Sequence, residues 1–185
     1  MKNTKEIIIP AITLCIICLI ATFLLSITDS ITFSRIQSIQ KENSDKAMKK
    51  VCSGAVSFEA LVTSKEPDTE LYKALDSSGE LIGYAVSTMD KSYGGDIKVM
   101  TGLDTSGNIT GVEILQIDDT PGLGMNAKKE NFRNQYIGKT AENINVSKNA
   151  SGDEIQAITG ATRTSEAVTR CVEKAYRIVS EKGGY

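Results

Sequence analysis

The chain has 185 residues, enough for about one domain behind a membrane segment and too few for a second large one. Its 21 Lys+Arg against 23 Asp+Glu give a formal net charge of −2, which lacks the basic footprint of a nucleic-acid binder and makes nucleic acid an unsuitable partner. Histidine is absent, so Ser-His-Asp and Cys-His catalysis, HExxH zinc hydrolysis and His-ligated haem are excluded.

Ile7 to Ile27 is an uncharged run of 21 residues between Glu6 and Asp29. At about 1.5 Å per helical residue it crosses a hydrocarbon core of roughly 30 Å. Pro10 falls in the first turn of that run, where a missing N–H does little harm. A cleaved signal peptide is the competing reading, but the run exceeds the usual apolar core and no small-x-small site follows before Asp29. Lys2 and Lys5 precede the span while Arg35 and Lys41 follow it, a near tie that tilts towards an inside N-terminus because Lys5 lies closest. The expected protein is single-pass in the cell membrane, in contact with lipid through this helix, with its domain outside. Cys15 and Cys18 lie within the span at CxxC spacing, which in lipid reads as two small apolar residues on one helix face, with a helix–helix contact or a ligand role shared with a partner as the alternatives.

Beyond Asp29, Phe33, Ile36, Ile39 or Gln40, Ala47, Met48, Val51 and Cys52 keep roughly helical spacing, as in a stalk helix. Ser64 to Thr69, with Pro67, is a break. Four strand-like runs follow, Leu71–Asp76, Leu81–Met89, Ile97–Leu103 and Ile109–Ile117. The first two are joined by Asp76-Ser-Ser-Gly79 and the last two by Asp104-Thr-Ser-Gly-Asn108, compact hairpin connections that predict an antiparallel sheet. Asp90 to Asp96, with Tyr93-Gly-Gly95, is a loop between the hairpins. Val168, Cys171, Val172, Ala175, Ile178 and Val179 form the apolar stripe of a C-terminal helix, with Glu166/Arg170 and Glu173/Arg177 at i,i+4 spacing. Cys171 reads as a core thiol, although an outside location would also allow it to pair with Cys52. The class is α+β: one N-terminal transmembrane helix (residues 1–28 with its tail), a stalk helix and linker (29–60), and a domain (61–185) whose antiparallel sheet is packed by helices.

Two loops carry small and hydroxyl residues that neither sheet nor helix requires. Asp118-Asp-Thr-Pro-Gly-Leu-Gly124 follows the last strand and by itself reads as Pro-Gly punctuation. Gln156-Ala-Ile-Thr-Gly-Ala-Thr-Arg-Thr-Ser165 precedes the C-terminal helix and reads as its cap. The second loop holds more than a cap needs, since Thr159, Thr162, Thr164 and Ser165 crowd hydroxyls and free N–H groups at the positive end of the helix dipole. Gly160 and Ala161 leave the Thr162 hydroxyl approachable. Neither a P-loop nor a GxGxxG pattern is present.

Thr159-Gly-Ala-Thr162 followed by Arg-Thr-Ser165 resembles the flavinylation motif of the FMN-binding domain family, and Thr120-Pro-Gly-Leu-Gly124 resembles that family's second signature. With the anchor, the Tyr93-Gly-Gly95 loop and the Ile97–Ile117 hairpin, the likeness covers nearly the whole chain. It is nearest to the G subunits of Rnf complexes and more distant to the C subunits of sodium-pumping NADH:quinone reductases. The resemblance implies an FMN joined to Thr162 as a phosphoester by a separate flavin transferase, with Thr159, Gly160 and Ala161 shaping the attachment loop; Thr164 is a further cofactor-binding candidate and the nearest alternative attachment residue. It further implies that Thr120, Gly122, Leu123 and Gly124 lie against the flavin, with Tyr93 a further candidate. Gln156 stands where many members carry an acid, and Asp153 is out of register. The implied role is an electron-relay subunit of an ion-translocating ferredoxin:NAD+ oxidoreductase, with the other subunits as partners. A free-standing extracytoplasmic flavoprotein reductase and an anchored, non-enzymatic phosphate-binding module are the alternatives.

Overall fold

A computed structural model of the chain describes residues 4–61, 69–140, 144–152 and 154–182. The Ser64–Thr69 break, apart from Thr69, and Asp153 lie outside the described residues. The chain divides into two compact units, Met1–Glu42 and Asn43–Tyr185.

The first unit is the N-terminal part of helix α1 (Thr4–Val51). Among the described residues this is the one helix long and apolar enough to cross a membrane. Every side chain from Ile8 to Asp29 is exposed, as lipid-facing residues must be in an isolated span. Thr13 and Thr28 donate to the carbonyls four residues earlier, both at 2.9 Å, and Thr22 donates to Cys18 in the same way. Hydroxyls in hydrocarbon have no water to turn to, so the helix satisfies them itself. Pro10 is not in the first turn as the sequence suggested, because the helix begins upstream at Thr4 and encloses it.

The second unit is built on a five-stranded antiparallel sheet in chain order: β1 (Ser57–Leu61), β2 (Glu70–Leu75), β3 (Leu81–Lys91), β4 (Asp96–Asp104) and β5 (Ile109–Ile117). Asp76 and Asp104 close their hairpins identically. Each carboxylate accepts the N–H two and four residues on: from Ser78 at 2.8 Å and Glu80 at 2.9 Å, and from Ser106 at 2.8 Å and Asn108 at 2.9 Å. Strand β3 also pairs along its length with β4, so the Tyr93 loop is itself a hairpin end rather than a link between two hairpins.

Side chains alternate across the sheet. Val86 and Val99 join one core with Val168, Val172 and Val179 of helix α3 (Thr162–Glu181). Ala85 and Met100 join the other with Ala47, Met48, Val51 and Cys52 at the end of α1. The apolar stripe expected along the stalk therefore splits: its last four members are buried, whereas Phe33, Ile36 and Ile39 are exposed. Cys52 and Cys171 are free thiols in opposite cores, which rules out a bond between them. Burial pushes the Cys52 thiol up to about 11 and the Cys171 thiol up to about 12, which disfavours the reactive thiolate in both. On α3, Arg170 turns from Glu166 to Asp90 of β3, at 2.5 Å, and to the Lys91 carbonyl.

After β5 the chain runs through two 3-10 turns (Gly124–Lys128 and Asn134–Tyr136) flanking the short helix α2 (Glu130–Arg133). A pair of two-residue parallel strands, β6 (Val146–Ser147) and β7 (Ile155–Gln156), then leads into α3. Tyr136 is fully buried, and its hydroxyl meets the Thr169 hydroxyl at 2.8 Å, tying this region to α3.

The end of α1 is seated on the sheet through two bare positions. A Cβ on Gly102 would run into the Val51 carbonyl and the Thr110 hydroxyl, and one on Gly111 would lie 2.8 Å from Val51 Cα. The Thr110 hydroxyl donates to that carbonyl at 2.5 Å, giving one of the last helical C=O groups a partner. Gly102→Ala is expected to destabilise the domain by about 1–3 kcal/mol through overpacking, read as a lower denaturation midpoint of the full chain in detergent. An unchanged midpoint would mean that the helix end does not bear on the sheet.

Candidate functional site

The site is organised around Asp119, which follows the end of β5 and is 7 % exposed. Its Oδ2 accepts from the Ser92 hydroxyl at 2.5 Å and the Thr164 hydroxyl at 2.7 Å, and its Oδ1 accepts from Gly94 N–H at 2.5 Å. One carboxylate thus joins the β3–β4 hairpin end, the Thr120–Gly124 loop and the first turn of α3. Burial acts to raise the Asp119 pKa, but the Ser92, Thr164 and Gly94 hydrogen bonds outweigh it and hold the carboxyl below the usual range. Two glycines make room. A Cβ on Gly124 would sit 2.5 Å from Asp119 Oδ2, and one on Gly94 would sit 2.9 Å from Oδ1.

Beside this knot lies a cavity of about 750 Å3, within the range of about 300–1,000 Å3 usual for small-molecule sites. Of the residues singled out from sequence, Tyr93, Thr120, Leu123, Gly124, Thr159, Gly160, Ala161, Thr162 and Thr164 line it. Gly122 does not. Its φ of +78° and the open space around its Cβ position make it a turn residue, with its carbonyl accepting from Asn126 Nδ2 at 2.7 Å. Gly160 combines a φ of +76° with close approach, since a Cβ there would lie 3.0 Å from Leu123 Cδ2.

The hydroxyls of the second loop divide into two kinds. Thr164 is buried and committed to Asp119. Ser165 is buried, accepts from Ile158 N–H at 3.0 Å and faces the Ala161 carbonyl at 3.1 Å. Thr159 and Thr162, by contrast, face the cavity, and their hydroxyls bond to none of the described residues. Thr162 is the first residue of α3, and no side chain caps that end. The first-turn N–H groups thus have no side-chain cap, and Thr162 stands at the positive end of the helix.

Sequence reasoning did not pick out Asp119, Ser92, Lys148, Ile158 or Arg163 as site residues. Asp119 stands beside Asp118 in a polar loop, where a carboxylate looks solvated; its one sequence signal is its place directly before Thr120. Lys148 and Arg163 put positive charge at the cavity, Leu123, Ala157 and Ile158 put apolar surface there, and Tyr93, 71 % exposed, stands at its edge. The arrangement suits a ligand that combines a flat apolar body with an anionic group, and it presents a free hydroxyl to that group.

The comparisons define the class first. The FMN-binding domain family matches residues 92–177, which contain the hairpin end, both loops and most of α3. The fold is that of the C subunit of the Na(+)-translocating NADH-quinone reductase from Parabacteroides distasonis, with a TM-score of 0.61 at 17 % identity over 80 % of this chain and 95 % of that one. Shewanella oneidensis NqrC is similar in fold, with a TM-score of 0.54 at 21 % identity over 66 % of each chain.

Among whole-chain relatives, the G subunit of the ion-translocating oxidoreductase complex of Methanosarcina acetivorans is 31 % identical over 100 % of both chains. The G subunit of the Na(+)-translocating ferredoxin:NAD(+) oxidoreductase complex of Acetobacterium woodii is 33 % identical over 88 % of this chain and 86 % of its own. The proton-translocating counterpart from Clostridium ljungdahlii is 31 % identical over 97 % and 95 %. The chain belongs to the family of G subunits of these ion-translocating oxidoreductase complexes, an FMN-binding domain carried behind a membrane-anchoring helix.

Asp119→Ala leaves three donors without their acceptor and is expected to destabilise the domain by about 1–3 kcal/mol at neutral pH. Because the folded-state pKa of Asp119 is depressed, its contribution is present above the unfolded carboxyl pKa and is lost as pH falls through the folded value. Denaturation curves of wild type and variant should therefore converge below the usual carboxylate range. A gap that stays constant into acid would detach the carboxylate's charge from the stability of the site.

Proposed function

We propose that the chain is the membrane-anchored electron-relay subunit of an Rnf-type, ion-translocating ferredoxin:NAD+ oxidoreductase, carrying FMN as a phosphoester on Thr162. The observation that carries this reading is the free Thr162 hydroxyl at an uncapped helix N-terminus, facing a cavity made by both family loops. First-turn N–H groups favour an anionic phosphate there. Thr164 and Ser165 are engaged elsewhere, which leaves Thr162 and Thr159 as the cavity-facing hydroxyls of the motif. Leu123, Thr120 and Tyr93 supply the surfaces against which a ring can lie, while Gly124, Gly160 and Ala161 keep the approach clear. Gly122 serves by shaping the turn that presents Leu123.

When bound, FMN supplies one- and two-electron chemistry, so the protein needs no acid or base of its own. Covalent attachment on an anchored domain keeps the flavin near its partners at high effective concentration. A flavin transferase installs it, and the remaining subunits of the complex supply and accept its electrons. Ile7 to Ile27 contains no ionisable carboxylate or basic side chain, so this span offers no ion path by itself. The domain is extracytoplasmic, in keeping with Lys2 and Lys5 before the span.

Co-expressed with a flavin transferase, the full chain should gain the mass of FMN less water, roughly 438 Da. Thr162→Ala should abolish the gain while the domain stays folded. A gain that persists in this variant would move the attachment, Thr159 being the other open hydroxyl. Impermeant protease added to cells stripped of their outer layers should degrade the chain beyond about residue 29. Full protection with the membrane sealed would reverse the orientation.

A further inference from the structure

The turn beside the cavity that carries Lys148 is clasped by a single side chain. Gln156 Nε2 donates to the Lys148 carbonyl at 2.6 Å, and Gln156 Oε1 accepts from Ala150 N–H at 3.1 Å. A carbonyl can only accept and an N–H can only donate, so this pair of contacts requires an amide in one orientation. A carboxylate at position 156 would serve Ala150 and would set two acceptors against each other at Lys148. The clasp is itself held: Gln156 N–H donates to Gln135 Oε1 at 2.7 Å, and Ala157 N–H donates to the Ser147 carbonyl at 2.8 Å.

The charges lining the cavity are unbalanced. Lys148 and Arg163 are exposed, and neither side chain forms an ion pair or hydrogen bond with a described residue. The one carboxylate among the described lining residues, Asp119, is already occupied by its three donors. Two uncommitted cations therefore face a site whose proposed occupant carries an anionic phosphodiester and gains negative charge on reduction whenever proton uptake does not keep pace.

Resting on the flavin reading above, we propose that Gln156 is a positioning residue: its amide fixes the Lys148 turn against the cavity so that Lys148, with Arg163, stabilises the more negative, reduced state of the bound flavin. Lys148 acts through its charge, and Gln156 acts through Lys148. An acid at position 156 would both release the turn and cancel part of the field.

The test is spectroelectrochemical titration of the full chain in detergent, flavinylated by co-expression with a transferase and compared at equal flavin content. Lys148→Gln should lower the flavin midpoint potential, moving the oxidised-to-reduced ratio at the wild-type midpoint about threefold to tenfold towards oxidised, the size of one partly screened charge at several ångströms. Gln156→Leu should lower it in the wild-type background and add little in the Lys148→Gln background, because its effect passes through the lysine. Gln156→Glu should lower it further than Gln156→Leu, by a margin that shrinks with added salt. Unchanged potential in Lys148→Gln, whose exposed side chain is not needed for folding, overturns the proposal. So does a Gln156→Leu shift that is equal in the two backgrounds, which would mark a merely structural role. A wild-type chain that takes up no flavin would instead overturn the reading of the site on which the proposal rests.

Discussion

Asp119 is the point at which three separate segments of the domain become one site. Its carboxylate accepts from Ser92 and Gly94 at the end of one hairpin and from Thr164 in the first turn of α3, while its own backbone begins the Thr120–Gly124 loop. The close quarters explain why residues 94 and 124 are glycine, since a side chain at 124 would occupy the space of the carboxylate and one at 94 would meet the Asp118 carbonyl as well as the carboxylate. A group fixed by three donors is a poor general base, and electron transfer asks for none. Its task is to set where the helix starts, and hence where Thr162 stands.

The sheet separates two jobs. One face holds α3, whose N-terminus forms the cavity wall, and the other holds the end of α1. Fastening the end of α1 requires bare backbone at Gly102 and Gly111, whereas the opposite face is filled by branched side chains such as Val86, Val99, Val168 and Val172. The two cores share strands but no side chains. A substitution on the α1 face can therefore weaken the domain without disturbing the packing beneath the cavity.

Much of this was legible in the sequence because hairpins announce themselves locally. Asp76 and Asp104 with a glycine three residues later mark turns between apolar, strand-like runs, and the stripe from Val168 to Val179 has a single period. Strand β1 was not legible, since its exposed and half-buried residues lack strict alternation. Strands β6 and β7, two residues each, are too short to show any period. The candidate site was legible as two motifs but not as a geometry. Asp119 looks like a solvated loop acid until Ser92, Gly94 and Thr164 are seen to converge on it from distant positions. Gly122 shows a second limit: the motif marks it as a signature glycine, but only the structure places it outside the cavity lining with the positive φ of a turn.

For the attachment of FMN to Thr162 proposed above, the division of hydroxyls in this loop bears on the order of events during maturation. In the folded domain Thr164 and Ser165 are buried, so an enzyme working on the finished fold meets only Thr159 and Thr162 and needs little discrimination of its own. An enzyme working on the nascent chain meets four hydroxyls within seven residues and has to choose among them by sequence. Attachment at Thr162 before folding would also place a bulky group at the point where α3 must nucleate and Thr164 must find Asp119. On that proposal the architecture favours folding first and loading second, with the domain itself acting as the template that selects the position.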